Sequence, residues 1–250
     1  MKNIDVVVDI AFNVDISKCV SYSHPMYVKL QRNFVKAQSR EWIERRMEIL
    51  MKYAVNSLRH QTNSEFTCII RCTRATYGII KEELKKYEKL PPNIRFAIIG
   101  IQPILRRHLA NCNTLYHVVI DSDNMYSDDF IEKLRAFKPN KETLTIMCRE
   151  GYLYNEITNE LARIFHPSPS FYASVYTKEN FDEIYPKRLC ESHWQATKNY
   201  KSEYLAGRNY LITVHEQNVD NSFETIFKAF SGQMIEGEEK EAVLKAWKIK

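Results

Sequence analysis

The chain has 250 residues, 44 % hydrophobic and 27 % charged, a balance that excludes disorder and collagen-like fibre. At this length folding buries roughly 70–75 % of the unfolded surface, so a core needs neither disulfides nor metal. Thirty-six Lys and Arg against 31 Asp and Glu leave +5, too weak to argue for nucleic acid, and six glycines disfavour a glycine-rich phosphate cradle.

The apolar, β-branched run Val6–Phe12 predicts a buried strand. Residues 15–37 hold no clear period and predict a loop with some helix. From Glu41 to Leu58 apolar residues recur at helical spacing (Trp42, Ile43, Met47, Leu50, Tyr53, Ala54, Leu58), which predicts an amphipathic helix. Glu65–Cys72 reads as a second strand. Ile79–Leu90 reads as a charged helix that Pro91-Pro92 stops. Ile94–Ile101 is a third strand, Ile104–Ala110 a short helix, and Tyr116–Ile120 a fourth strand running into Asp121-Ser122-Asp123-Asn124. A helix then continues to about Phe137, with Ser127 as its cap and Asp128 and Asp129 in the first turn, where the macrodipole favours anions.

This alternation predicts an α/β fold: a doubly wound, mostly parallel sheet with its ligand crevice at the strand C-termini. In the second half, Thr143–Glu150, Ser170–Tyr176 and Tyr210–Glu216 read as strands, with Leu161–Phe165 pairing with one of the first two. Ser222–Phe230 and Glu238–Trp247 read as helices. The expected organisation is one domain over residues 1–220, a nucleotide-binding half to 125 and a mixed acceptor half beyond it, followed by a helical tail over 221–250.

Cys19, Cys68, Cys72, Cys112, Cys148 and Cys190 form no C-x-x-C pair and read as free thiols of a reducing compartment. The N-terminus lacks a basic n-region with a clean apolar h-region, and apolar runs fall short of the ~20 residues that span a bilayer. The expectation is a cytoplasmic protein, with peripheral membrane contact left open.

Asp121 and Asp123 stand two apart at the end of an apolar strand, where residues i and i+2 of an extended chain share a side. Two carboxylates aimed into one crevice repel unless a cation lies between them, and hard oxygen ligands suit Mg²⁺ or Mn²⁺. Such an ion holds a diphosphate and neutralises the charge developing on it as it leaves. The plainer reading is that both Asp cap a turn. A phosphatase of the haloacid-dehalogenase type also uses D-x-D after a strand, but after the first strand; here it follows about 120 residues, with Met125 where Thr or Val is expected. A non-catalytic nucleotide- or glycan-binding module is the third reading.

Beyond the D-x-D, the chain resembles the rhamnosyltransferase family of GT-A-type glycosyltransferases over about residues 6–220. The resemblance rests on Phe12-Asn13-Val14, Trp42 and Arg46, the run Ser57–Phe66, Ile120–Asn124, Asp129-Phe130-Ile131, Gly151-Tyr152 with Tyr154, Pro167–Phe171, and Val214-His215 with Asn218 and Asn221. Val119 and Asn124 stand where the family pattern has Arg and a further Asp. The resemblance implies a GT-A-like fold, a nucleoside-diphosphate sugar donor, Mn²⁺ or Mg²⁺ at Asp121 and Asp123, a glycan or glycolipid acceptor, and a role in polysaccharide biosynthesis as a hexosyl- or rhamnosyltransferase. It implies His215 as a third metal ligand; the competing role is a hydrogen-bonded histidine at a strand end.

Asn13 is expected at the base, or as an ordinary turn residue. Arg46 reaches a phosphate or locks its helix to the sheet. Gln61 binds donor or caps a helix. Arg71, at a strand end, is expected on the diphosphate. Ser122 and Asn124 join the donor-binding set, Asn124 through its carbonyl or a ribose hydroxyl. An inverting transfer needs a carboxylate to deprotonate the acceptor hydroxyl. Glu191 is preferred over Glu150, which is read as ending a strand; for each the competing reading is a surface carboxylate. Tyr152, Tyr154 and Trp194 are expected to stack on sugar rings.

Overall fold

The computed structural model describes residues 2–15, 17, 26–189, 191, 193–216 and 222–249, with the side chains of 2, 193 and 194 set aside. Cys19, Cys190, Asn218 and Asn221 lie outside the described residues.

The strands in chain order are β1 (Lys2–Ala11), β2 (Thr67–Arg71), β3 (Ile94–Ala97), β4 (Cys112–Val119), β5 (Met125–Tyr126), β6 (Thr145–Met147), β7 (Glu150–Asn155), β8 (Glu160–Phe165), β9 (Tyr172–Tyr176), β10 (Ser202–Tyr204), β11 (Arg208–Val214) and β12 (Gln233–Ile235). The first sheet has the order β10-β6-β9-β4-β1-β2-β3, and the second β12-β8-β7-β11-β5. β3, β2, β1 and β4 are parallel, and β9 alone in that sheet runs against its neighbours. The chain leaves β1 for β2 and β3 on one side and returns to β4 on the other. The switch point therefore lies between the C-terminal ends of β1 and β4, the expected place for a crevice. The α/β class, with a parallel first half and a mixed second half, is as the sequence predicts.

β1 takes the centre because its residues suit burial on both faces. Val6, Val8 and Ile10 enter the larger core and Val7 the smaller one, all fully buried. Asp5 and Asp9 share Val7's face by the period-2 rule. Each is buried and paired, as a buried charge must be: Asp5 Oδ2 lies 2.8 Å from His108 Nδ1, and Asp9 binds Arg71.

The helices are α1 (Tyr27–Lys36), α2 (Arg40–Leu50), α3 (Asn56–Arg59), α4 (Tyr77–Glu83), α5 (Ile101–Ala110), α6 (Phe130–Ala136), α7 (Phe181–Arg188), α8 (His193–Asn199), α9 (Phe223–Ala229) and α10 (Gly237–Ala246). Ser39 caps α2, accepting from Trp42 N at 3.2 Å, and Ile43, Met47 and Leu50 bury one face. A π turn over Met51–Val55 joins α2 to α3, so the predicted single helix is three pieces; it turns Tyr53 fully inward.

Several predicted boundaries move. The third strand stops at Ala97, because Ile101 already opens α5. Residues 143–150 are not one strand: β6 is short, and Glu150 begins β7 rather than ending its predecessor. β8 pairs with β7 and β12 in the second sheet. Ser127 does not cap α6, since its hydroxyl donates to Asp129 Oδ1 at 2.8 Å. Gly151 has a packing reason: a Cβ there would lie 2.4 Å from the fully buried Tyr210 ring. The C-terminal segment packs on the domain, since β12 pairs with β8 and α10 buries Leu244. Cys68, Cys72, Cys112 and Cys148 are buried. No helix among the described residues is long and apolar enough to cross a membrane.

Candidate active site

Asp121 to Asn124 form the crossover by which the chain leaves β4 of the first sheet and enters β5 of the second. β5 pairs antiparallel with β11, so the end of β11 returns to the same loop. Thr213 N donates to Asn124 Oδ1 at 3.2 Å, and the Thr213 hydroxyl donates to the Asp123 carbonyl. His215, one residue past β11, then places Nε2 3.2 Å from Asp123 Oδ2. From the other side α2 supplies Arg46, whose Nε donates to Ser122 Oγ at 2.8 Å and whose Nη2 lies 3.0 Å from Asp123 Oδ2. Asp121, Ser122, Asp123, Arg46 and His215 thus converge.

The two carboxylates differ in environment. Asp123 is buried, and burial alone would raise its pKa; the His215 hydrogen bond and the Arg46 charge outweigh that and hold it below the ordinary value. Asp121 is exposed and faces the open crevice. The protein crowded about the loop and the charge of Asp123 push its carboxyl up to about 6 against the pull of Arg46. Asn124 Nδ2 donates to Asp121 Oδ2 at 3.3 Å.

An accessible carboxylate pressed against a second, ionised one is a locus that a hard divalent cation relieves, so the donor set fits Mg²⁺ or Mn²⁺. Among the described residues no three His, Cys, Asp or Glu side chains form a ready-made metal cage. His215 reaches the site as a partner of Asp123.

Asp121 opens into a crevice of about 980 Å³ between the end of β1 and helices α1 and α2. Phe12, Phe34 and Trp42 line it, with Phe12 and Trp42 edge to face at 5.5 Å. Phe34 was not singled out from the sequence; α1 buries no residue fully, so its period gave no signal. A smaller recess of about 540 Å³ between α3 and α10 lies away from Asp121; its Asp128 pairs with Lys248.

Four expected donor contacts are corrected. Arg71 does not face the diphosphate: its Nε and Nη2 donate to Asp9 at 2.6 and 3.0 Å, because a carboxylate buried in the central strand demands a cation. Gln61 is a buried clamp, donating to the Ser57 and Ser127 carbonyls and accepting from Ile131 N at the start of α6. Asn13 is at the crevice wall, but its amide is spent on the Ala37 carbonyl, Thr76 Oγ1 and Thr73 N. Asn124 is spent on Asp121 and Thr213, as above, and serves the loop rather than a ribose.

The expected bases separate. Glu150 sits at the start of β7, opposite Arg208, whereas Asn155 pairs with Val214 at the end near His215. Five strand steps, roughly 17 Å, divide Glu150 from that end. This excludes it as base: it is half-exposed, 3.6 Å from Arg208. The carboxylate at the site's end of β7 is Glu156, paired with Lys52 beside His215, a position that only the strand register reveals. Glu191 follows α7; its Oε1 accepts from the Tyr200 hydroxyl at 3.1 Å and from Asn199 Nδ2 at 3.0 Å, and it is not among the residues that line the crevice at Asp121. Tyr154 is buried beneath α10 and Tyr152 packs edge-on to Trp247, so neither serves as a sugar platform at Asp121. The side chain of Trp194 lies outside the described residues.

No family model and no curated protein matches the chain. Among solved structures it is similar to Staphylococcus aureus TarS residues 1–349 in complex with UDP, with 15 % identity, a TM-score of 0.41, and coverage of 86 % of this chain and 61 % of that one. The same fragment in complex with UDP-GlcNAc gives 13 % identity and a TM-score of 0.42 over 87 % and 60 % of the two chains. The chain thus spans about 61 % of the length of that fragment. A 4-diphosphocytidyl-2C-methyl-D-erythritol synthase from Anaerococcus prevotii gives 12 % identity and a TM-score of 0.37 over 100 % and 99 %.

Proposed function

We propose that the chain is a GT-A-type transferase that moves a sugar from a nucleoside-diphosphate donor to a hydroxyl of a glycan or glycolipid. The observation that carries this is the carboxylate pair at the β1–β4 switch point: Asp121 opens into an aromatic-walled crevice while Asp123 is held behind it by Arg46 and His215.

Each residue has a role under this reading. Phe12, Phe34 and Trp42 offer an apolar wall to a planar base. Asp121 and Asp123 would hold Mn²⁺ or Mg²⁺, which completes its shell from substrate phosphates and water when few protein ligands are present. Once bound, that cation neutralises charge developing on the departing diphosphate. Arg46 and His215 keep Asp123 ionised for that purpose.

The test is a thermal-shift screen of nucleoside diphosphates and their sugars, rhamnosyl and other hexosyl donors included, with and without Mn²⁺. A ligand at 100 times its Kd adds about 2.7 kcal/mol. Asp121→Ala and Asp123→Ala are each expected to lower turnover by about 10²–10³. Full turnover in both variants would refute the site. Phosphate release from a simple phosphate ester, abolished in Asp121→Asn, would favour a phosphatase instead.

A further inference from the structure

Two cavities flank the loop that carries Asp121 and Asp123. The aromatic-walled crevice takes Asp121; a second recess, of about 470 Å³, lies on the His215 side, with Ile49, Lys52, Glu156 and Ile157 also in its wall. Its size suits a small ligand. Arg45 and Glu216 line both cavities and pair at 3.2 Å where the two meet. Both side chains are mostly exposed, so their pair contributes little and a ligand displaces it at small cost. His215 links the recess to the carboxylate pair, because it lines the recess and its Nε2 lies 3.2 Å from Asp123 Oδ2.

The backbone sets Glu156 at this wall. β7 and β11 are parallel and finish together, Asn155 beside Val214. Glu156 and His215 come next, and Glu156 N donates to the Val214 carbonyl at 2.9 Å. The Glu156 carboxylate pairs with Lys52 of the π turn, which limits its rotamers, yet the side chain is 35 % exposed and open to a ligand in the recess. Burial raises its carboxyl, but Lys52 leads the groups that outweigh this and hold it below the ordinary value, so it is ionised at neutral pH. Glu48 and Glu216, the other carboxylates of the recess, both lean on Arg45 and are 61 % and 73 % exposed, so water competes for them. Ile49 and Ile157 add apolar surface for the C–H face of a sugar ring, and the charged groups offer partners to its hydroxyls.

We propose that Glu156 is the catalytic base of the transfer, taking the proton of a carbohydrate hydroxyl that enters through this recess. This rests on the reading of the chain as a nucleotide-sugar transferase. In an inverting transfer the acceptor proton passes to a Glu156 carboxylate oxygen, and the acceptor oxygen forms a bond to the anomeric carbon with its electron pair. The bond from that carbon to the diphosphate oxygen breaks, and the diphosphate leaves with the bonding pair. Donor and acceptor thus approach from separate cavities, on either side of Asp123.

Glu156→Gln tests this, because it keeps the size of the side chain and removes its capacity to take a proton. Release of nucleoside diphosphate is read with Mn²⁺, with water as acceptor, on the best-hydrolysed donor in a panel of UDP-, GDP- and dTDP-sugars. Release is expected to fall by about 10²–10⁴-fold in Glu156→Gln. The thermal shift given by the matching nucleoside diphosphate with Mn²⁺ should equal that of wild type, because the crevice is untouched. Full release in Glu156→Gln, with release lost in Asp121→Ala, overturns Glu156 as the base and leaves the transferase reading standing. A thermal shift lost in Glu156→Gln also overturns it, by assigning Glu156 to donor binding. Full release in Asp121→Ala, or no release by wild type from any donor, overturns the transferase reading and the role of Glu156 with it.

Discussion

Arg46 and Asp123 form a guanidinium–carboxylate pair at 3.0 Å that joins α2 to the crossover between the two sheets, with side chains only 16 % and 11 % exposed. Removing one member leaves the other enclosed and short of a partner, which costs about 3 kcal/mol for such a pair. Arg46→Met is expected to lower stability by that amount in urea titration. It should also weaken Mn²⁺ binding, since Asp123 then competes with a proton closer to neutral pH. Arg46→Lys restores the charge but not the fork that also serves Ser122, so it should recover only part of the loss. Wild-type stability in Arg46→Met would show that the pair contributes nothing.

Asp9 sets a pH dependence whose sign can be worked out. Burial would raise its carboxyl, but His117 and the bidentate Arg71 outweigh that and hold it below the ordinary carboxylate value of 3.8. The folded state therefore binds this proton more weakly than the unfolded chain. The contribution is complete above the unfolded value and is lost as pH falls through the folded one. Asp9→Asn should cost about 3–5 kcal/mol at pH 7, where Arg71 is left without its carboxylate. The gap between variant and wild type should narrow as the pH is taken below about 4. Denaturant titrations at pH 7 and pH 3 measure both gaps; a gap that widens in acid would contradict the assignment.

Gln61 separates structure from binding. Its amide bridges the Ser57 and Ser127 carbonyls at 3.0 and 2.7 Å and accepts from Ile131 N at 2.9 Å. Gln61→Ala strands these backbone groups and should cost about 2–3 kcal/mol. Nucleotide affinity, measured by calorimetry below the unfolding range, should be unchanged. A large affinity loss without a stability loss would return Gln61 to the donor site.

Much of the architecture was legible because it depends on local chemistry. Val6–Val8 could only be a central strand, and the spacing of Ile43, Met47 and Leu50 could only be one buried helix face. Asp121 and Asp123 were legible from their place after an apolar strand. The partners were not. Arg71 looks like a free cation at a strand end until β1 brings Asp9 beside it, and Gln61 looks like a local cap until α6 arrives on it. Glu150 looked like the last residue of a strand because polarity does not distinguish a strand's first residue from its last.

By itself, then, the sequence determined the α/β class, the strand–helix rhythm and the carboxylate pair, all of which follow from side-chain period and residue type within a short window. Tertiary structure alone decided which polar groups remain available. Asn13, Gln61, Arg71 and Asn124 are consumed by partners far along the chain, because buried hydrogen-bonding groups must be satisfied wherever the fold places them. Asp121 stays open to the crevice because the crossover between the two sheets turns it outward, while Arg46 and His215 close on its neighbour Asp123.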